Sequence, residues 1–393
     1  MKNPLAWFAA LITLLLSACG GSPSVPGMPT GVSVTAGDSR AVVSFTQEAG
    51  LEYWIFYAPG DTVAFPGSMQ VSGYRSMRLA QSPQAITGLT NGTQYAFIVA
   101  ASSSGSKAGP TSAPIAVTPR PAGSVWSAGA VTGTVTLNAL IFDGTRFVAV
   151  GDAGTILIST DAVTWTAAAS GTSANLQAIT FAGGRYVAVG AGGTVLVSTD
   201  RITWSAAGSG TTATLNGIAY LLGQYYTVGD GGTLLRSTDA GTWIAVASGT
   251  TASLYAAGAY GDRAVVAGAG GTLLTSANLT DWAPAASGTT ATLRALAQGN
   301  GRVVAVGDGG ALTGSADGLN WAPAASGTGS SLRAVAYGSR YVAVGAAGTV
   351  LASTDGLTWA AATSGTTASL GAAGFGLNTY LATGPAGALI VSQ

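Results

Sequence analysis

The chain contains no histidine, and its one cysteine is Cys19. The first absence removes Ser-His-Asp and Cys-His catalysis together with most zinc and iron sites, and the second removes any internal disulfide or thiolate cage. Lysine occurs only as Lys2 and Lys107, and glutamate only as Glu48 and Glu52. With 8% charged residues and zero net charge, nothing supplies the clustered Lys and Arg that draw a protein to a phosphate backbone, so nucleic acid is not an expected partner. Beyond the N-terminus no apolar run approaches the roughly 18 residues that a spanning helix needs. The positive mean hydropathy, +0.42, comes instead from Ala and Val in short segments punctuated by Gly and Ser. At 393 residues the chain is longer than one compact domain usually is, and two or more units are expected.

What is present begins with MKNPLAWFAALITLLLSACGGS: one Lys, an apolar stretch of 12 residues from Leu5 to Leu16, then small residues. That is the layout of a secretory signal, too short to span a bilayer. Leu16-Ser17-Ala18-Cys19 also resembles the lipobox of bacterial lipoproteins. The resemblance implies that 1–18 is a signal peptide and that Cys19 is acylated, so that two or more acyl chains anchor the chain to a membrane of the bacterial cell envelope. An ordinary secretory signal is the alternative. Gly20, not Asp, follows the cysteine, which points to the outer membrane, facing either the periplasm or the exterior. Residues 19–28 then make a lipidated start and a Gly, Ser and Pro-rich tether.

Between 29 and 119 several short apolar runs, among them AVVSF, YWIFYA and TQYAFIVAAS, alternate with turn residues, a pattern expected of a small β-sandwich. The segment ITGLTNGTQYAFIVAAS, with Leu89 six residues before Tyr95, resembles the fibronectin type III domain. The resemblance implies a tyrosine corner, in which the Tyr95 phenol satisfies a backbone group upstream while its ring seals the core. Phe45 and Trp54 are expected in that core, and Glu48 and Glu52 on a solvated loop and strand. The unit reads either as a spacer or as a binding module. The Pro-rich linker 120–123 follows it.

From 124 to 393 the sequence repeats. Trp126, Trp165, Trp204, Trp243, Trp282, Trp321 and Trp359 are spaced by 39 residues five times and by 38 once. Leu-x-Ala starts recur at Leu137, Leu176, Leu254, Leu293 and Leu332, Leu215 opens its unit in the same place as Leu-Asn-Gly, and Leu370 opens a seventh unit as Leu-Gly-Ala. Each unit holds four short β-type runs joined by turns, as in LNALIF, RFVAVG, TILIST and TWTAAA. One such unit cannot bury its own apolar face, so seven of them describe a seven-bladed β-propeller. The seventh unit stops after its third run, and an orphan tryptophan strand at 125–128 precedes the first. The N-terminal strand is therefore expected to complete the last blade and close the ring. The fold class read from sequence is all-β, a sandwich followed by a propeller.

The turn before each tryptophan reads STDAVTW, STDRITW, STDAGTW, SANLTDW, SADGLNW and STDGLTW. It resembles the Asp box of BNR-repeat propellers, and the AVG..GT..STDG.TW layout is similar to photosystem II assembly-factor propellers within the wider WD40/YVTN/BNR-like group. A structural role follows for the Trp, Ser and Asp positions. Arg146, Arg185, Arg263, Arg302 and Arg340 recur in a second phase, and pairing with Asp161, Asp200, Asp317 and Asp355 is expected. Sialidase chemistry needs a Tyr nucleophile activated by Glu, and 124–393 holds no Glu, so an enzyme is not expected. No cofactor or metal is implied.

Positions where the repeat departs from itself are the candidates for binding. The turn between second and third runs carries Asp152, Asp230 and Asp308 in alternate units, 78 residues apart. Asp before Gly also favours a tight turn by itself. The variable residue of the Leu-x-Ala starts is Asn138, Gln177, Asn216, Tyr255, Arg294 and Arg333, with Gly371 last. All are expected near the mouth of the central channel, where Arg294 and Arg333 would grip a carboxylate. The expected function is a non-enzymatic, lipid-anchored scaffold that binds a protein or peptide there. A carbohydrate-binding or glycan-processing propeller is the alternative, for which stacked aromatics should line the channel; only Tyr255 qualifies.

Overall fold

The computed structural model describes residues 25–63, 75–103, 109–129, 131 and 133–392. Cys19, the expected signal segment 1–18 and most of the expected tether lie outside the described residues. The chain divides into two compact units, 1–120 and 121–393.

The first unit is a pair of antiparallel sheets. Ser33–Gly37, Arg40–Ser44 and Gln84–Thr87 make one; Arg75–Arg78, Leu51–Pro59, Tyr95–Ser103 and Ile115–Val117, in that spatial order, make the other. Side chains alternate along a strand, so Tyr53, Ile55 and Tyr57 point inward and meet Val43, Ile86, Phe97 and Val99 between the sheets. Phe45 joins them, its ring 4.7 Å from that of Tyr53. The same alternation corrects the expectation for Trp54. It lies one position out of phase, on the outer face of the four-stranded sheet with Phe56 and Ile98, and the Arg78 guanidinium sits 5.3 Å over its ring. Glu48 is exposed and Glu52 half-buried.

The second unit contains seven four-stranded antiparallel sheets. Six are contiguous in sequence, spanning 137–168, 176–207, 215–245, 254–285, 293–323 and 332–362, and are numbered here as blades 1 to 6. Blade 7 takes Ala372–Gly376, Thr379–Thr383 and Leu389–Ser392 from the C-terminal end and Trp126–Ala128 from upstream. Ser392 pairs with Trp126 and Ile390 with Ala128, so the ring is fastened by backbone hydrogen bonds between distant parts of the chain.

The blades are held to one another by a core between each adjacent pair. Trp204 packs with Val148 and Ile156 of blade 1, Trp243 with Val187 and Val195 of blade 2, and Trp282 with Val228 and Leu234 of blade 3. Trp321, Trp359 and Trp126 reach blades 4, 5 and 6 in the same way, and Trp165 of blade 1 meets Leu381 and Leu389 of blade 7. Each indole thus leans on the blade before it. Tyrosines at the start of the second strand add polar stitches: Tyr225 donates to the Ala182 carbonyl of blade 2 at 2.5 Å, and Tyr341 to the Arg302 carbonyl of blade 5 at 2.8 Å.

The Asp boxes are closed turns. In blade 1 the buried Ser159 hydroxyl donates to Asp161 Oδ1 at 3.0 Å and accepts the Ala162 N–H at 2.9 Å. Asp161 Oδ1 in turn accepts from the Val163 and Thr164 amides at 2.8 and 2.7 Å. Asn278 replaces the acid in blade 4 and accepts the equivalent bonds from Thr280 and Asp281. These contacts correct the expected pairing of the repeating arginines with the box aspartates. The carboxylate is occupied by the backbone of its own turn, and among the described residues the ion pairs are Arg201–Asp143 and Arg294–Asp308.

Candidate functional site

Each of blades 1 to 6 has a β-bulge at its Leu-x-Ala start. In blade 2 Leu176 pairs with Gly190 and Ala178 with Val189, which leaves Gln177 as the extra residue. The same shift leaves out Asn138, Asn216, Tyr255, Arg294 and Arg333. A bulge bends the strand and re-aims the unpaired side chain. In these six repeats the variable residue is therefore the one that the backbone releases from the ladder, at the inner rim where each blade begins.

The turn between second and third strands sits at the same end of the ring. In blade 1 it is Asp152–Gly154, with Ala153 at φ 52 and Gly154 at φ 68. A Cβ on Gly154 would stand 2.0 Å from the Thr172 carbonyl oxygen, so this glycine is needed both for its backbone angle and for a close approach.

The two sets of candidate residues meet. Asn138 donates from its amide to Asp152 Oδ1 at 2.9 Å and to the Leu176 carbonyl of the next blade at 3.0 Å. Asn216 repeats this with Asp230 at 3.0 Å and the Leu254 carbonyl at 3.1 Å. In blade 5 Arg294 takes the place of the asparagine and grips Asp308 with two nitrogens, at 2.5 and 2.8 Å. The alternating aspartates thus stand where the bulged side chain of their own blade is a donor. Blades 2 and 4, with Gln177 and Tyr255, have Ala191 and Ala269 at the matching place.

The rim has two chemically different arcs. Blades 1 to 3 present amides, Asn138, Gln177 and Asn216, while blades 4 to 6 present Tyr255, Arg294 and Arg333. Arg294 lies 5.5 Å over the Tyr255 ring, which orients the guanidinium between an aromatic face and a carboxylate. Its hydrogen bonds hold the Asp308 carboxyl below its ordinary value against the upward push of burial, and the nearby Arg333 charge acts in the same direction. Arg333 is exposed and takes no part in an ion pair among the described residues. Arg294 and Arg333 therefore do not form an equivalent pair: one is already neutralised and the other is not. Blade 7 presents Gly371, which leaves a gap in the ring of side chains.

A second cluster was not anticipated from sequence. At the opposite end of the ring, Tyr186 donates to Asp143 Oδ2 at 2.5 Å and Arg201 donates to the same oxygen at 3.1 Å, joining blade 2 to blade 1. Burial pushes the Asp143 carboxyl up, but hydrogen bonds from Tyr186, Thr145 and Arg146 outweigh it and hold the group well below the usual carboxylate range. Arg201 is the one charged residue among the box positions that follow the acid, which is the signal that sequence offered. Among the described residues no group of three or more His, Cys, Asp or Glu gathers to hold a metal ion.

The fold and rim define a β-propeller whose mouth is lined by bulged residues. No family model matches the sequence, and no curated protein matches it. Solved structures do. A structure described as YCF48 bound to D1 peptide is 20% identical, covers 70% of this chain and 98% of its own, and has a TM-score of 0.57. YCF48 from Cyanidioschyzon merolae is 18% identical over 68% of this chain and 98% of its own, with a TM-score of 0.56. The WD40 β-propeller domain of Doa1 is 14% identical over 69% and 97%, with a TM-score of 0.55. At these identities the likeness is one of fold.

Proposed function

We propose that this chain is a non-enzymatic binding protein whose propeller mouth holds an extended peptide segment of a partner protein, the segment carrying an acidic group toward blades 4 to 6. The observation that carries the reading is the set of six bulges, each releasing the one residue that varies from blade to blade toward a common rim. A scaffold role alone would let these positions repeat like the rest of the blade. Amides on one arc suit the N–H and C=O groups of an extended backbone, and the unpaired Arg333 beside the oriented Arg294 suits a carboxylate. The peptide in the similar YCF48 structure lends support to this class of ligand. A glycan platform is disfavoured, because Tyr255 is the one aromatic among the bulged residues and Arg294 already lies over it.

The setting belongs to the same proposal: a chain anchored through lipid on Cys19 to the outer membrane, with the first unit as a fibronectin type III-type module. For the module, support comes from the strand order of its two sheets and from the Tyr95 hydroxyl, which accepts the Thr90 N–H at 3.1 Å while the ring is buried beside Leu89. Panning a displayed library of random peptides on the chain tests the binding role. Acidic peptides enriched by the wild type and not by an Arg294→Ala/Arg333→Ala variant are expected; equal enrichment by both would overturn the assignment of the mouth.

A further inference from the structure

The end of the propeller opposite the bulged rim carries a feature that peptide capture does not use. In four Asp boxes the residue two places after the acid is a branched aliphatic and is exposed: Val163 at 70%, Ile202 at 62%, Leu319 at 44% and Leu357 at 44%. Gly241 and Thr280 fill that place in blades 3 and 4, so the turn itself needs no apolar side chain. Each aliphatic tip is held firmly, its N–H donating to the box carboxylate at 2.8 to 2.9 Å.

The two blades that lack a box tip of any size are served from elsewhere. Blade 3 has Gly241 and blade 7 has no box, and in both the neighbouring first-to-second turn presents an exposed leucine, Leu222 or Leu377. These leucines adopt φ 51 and φ 50, in the left-handed region where Gly183, Gly261 and Asn300 stand in other blades. A bulky side chain is strained there, and it buries little in return. Six of the seven blades therefore each present at least one exposed branched aliphatic at this end, and blade 4 presents none. Phe181 and Ile244, also exposed, add to the same end.

Because the blades repeat one backbone, the four box tips occupy equivalent places in their blades. They are separated by polar turn residues such as Thr164, Thr203, Asn320 and Thr358. A protein interface needs a contiguous dry centre, which isolated tips do not supply. A bilayer interface has no such requirement: each tip enters separately while polar neighbours stay among the headgroups. Arg185, Arg263 and Arg302 begin second strands at this end, Arg146 and Arg340 stand just before them, and none of the five is ion-paired among the described residues. The exposed box carboxylates Asp161, Asp200, Asp239, Asp317 and Asp355 share this end and accept hydrogen bonds from the amides of their own turns, so the face is mixed in charge and not basic. Guanidinium groups match lipid phosphates in geometry and charge.

We infer that the Asp-box end of the propeller rests on a phospholipid surface, its aliphatic tips in the interface and its arginines at the phosphates, leaving the bulged rim open to a partner. This contact is separate from any lipid on Cys19. The test uses the chain from residue 20 onward, which keeps both folded units and lacks the apolar run and Cys19. It is sedimented with phosphatidylethanolamine–phosphatidylglycerol vesicles, as wild type and with Val163, Ile202, Leu319 and Leu357 each changed to serine. Wild-type binding weakened about tenfold or more in the serine variant, at unchanged circular dichroism, is expected. A solvatochromic dye on Ile202→Cys should shift to the blue with vesicles, and one on Gln177→Cys should not. Absence of vesicle binding, or binding that the serine changes leave intact, would overturn the inference. So would wild-type self-association without vesicles that the serine variant loses, since the tips would then belong to a second copy.

Discussion

Arg294 closes on Asp308 with two hydrogen bonds, Nε to Oδ1 at 2.5 Å and a terminal nitrogen to Oδ2 at 2.8 Å, at the rim of the same blade. The pair leaves Arg333 as the uncompensated charge of that arc. For an acidic peptide selected on the wild type, Arg333→Ala should weaken binding about tenfold, the usual worth of a charge-assisted bond. Arg294→Ala should cost less. Asp308→Ala releases Arg294 and should strengthen binding. Calorimetric titration of the three variants gives the order, and tighter binding by Arg333→Ala than by Asp308→Ala would contradict it.

The turns that shape the blades should be sensitive in graded ways. Gly154→Ala places a Cβ 2.0 Å from the Thr172 oxygen at a φ of 68, whereas Gly171→Ala, at φ 74, meets nothing within 4 Å. The second should cost about 1 kcal/mol for its backbone angle, and the first at least about 2–3 kcal/mol. Denaturant midpoints of the two variants measure the difference.

Ser159→Ala removes the acceptor of the buried Ala162 N–H and the donor to Asp161. An unsatisfied buried amide costs about 1–3 kcal/mol, and urea unfolding should show a loss in that range.

The Asp143 side chain, 2% exposed, joins Tyr186 and Arg201 across blades 1 and 2. Asp143→Ala should destabilise by about 2–3 kcal/mol, below the full cost of breaking a buried pair because Arg201 reaches solvent. Hydrogen exchange should rise first in the second strands of blades 1 and 2. Uniform exchange around the ring would argue against a local clasp.

Acid should unfold the protein through its boxes. Backbone hydrogen bonds from Thr203 and Ile202 lower the Asp200 carboxyl to about 2, and those from Thr358 and Leu357 lower Asp355 to about 2. A depressed folded value means that the stabilisation is complete above the unfolded value, about 4, and is lost as pH falls toward about 2. With no histidine in the sequence, the thermal midpoint should stay nearly flat between about pH 5 and 8 and fall below about 4. Changing Asp200 and Asp355 to asparagine should keep the turns, as Asn278 does in blade 4, and soften the acid transition.

Most of the second unit was legible because its determinants recur. Seven tryptophans at a fixed period gave the blade count, and the truncated seventh repeat with its orphan strand gave the closure that Ser392 and Trp126 make. What escaped reading depends on contacts between repeats or on backbone register. Leu-x-Ala reads as plain alternation, and nothing in three letters reveals that x is unpaired. The Asn138–Asp152 bond explains alternating aspartates only once residues 14 apart are seen to face each other. The expected arginine pairs failed because backbone amides take up the box carboxylates first. Trp54 stands one step off the inward phase of its strand, an offset that a run rich in aromatics conceals in sequence. The Asp143–Tyr186–Arg201 cluster draws on two blades, and only Arg201 marked it.

Site-specific photo-crosslinking in intact cells tests the central claim most directly. A photoreactive residue at Gln177 or Arg333, on the bulged rim, should yield a defined protein adduct whose cross-linked peptide is extended and acidic. The same residue at Arg185, at the opposite end, should not yield it. Adducts of equal yield from both ends, or none from the rim, would contradict the account.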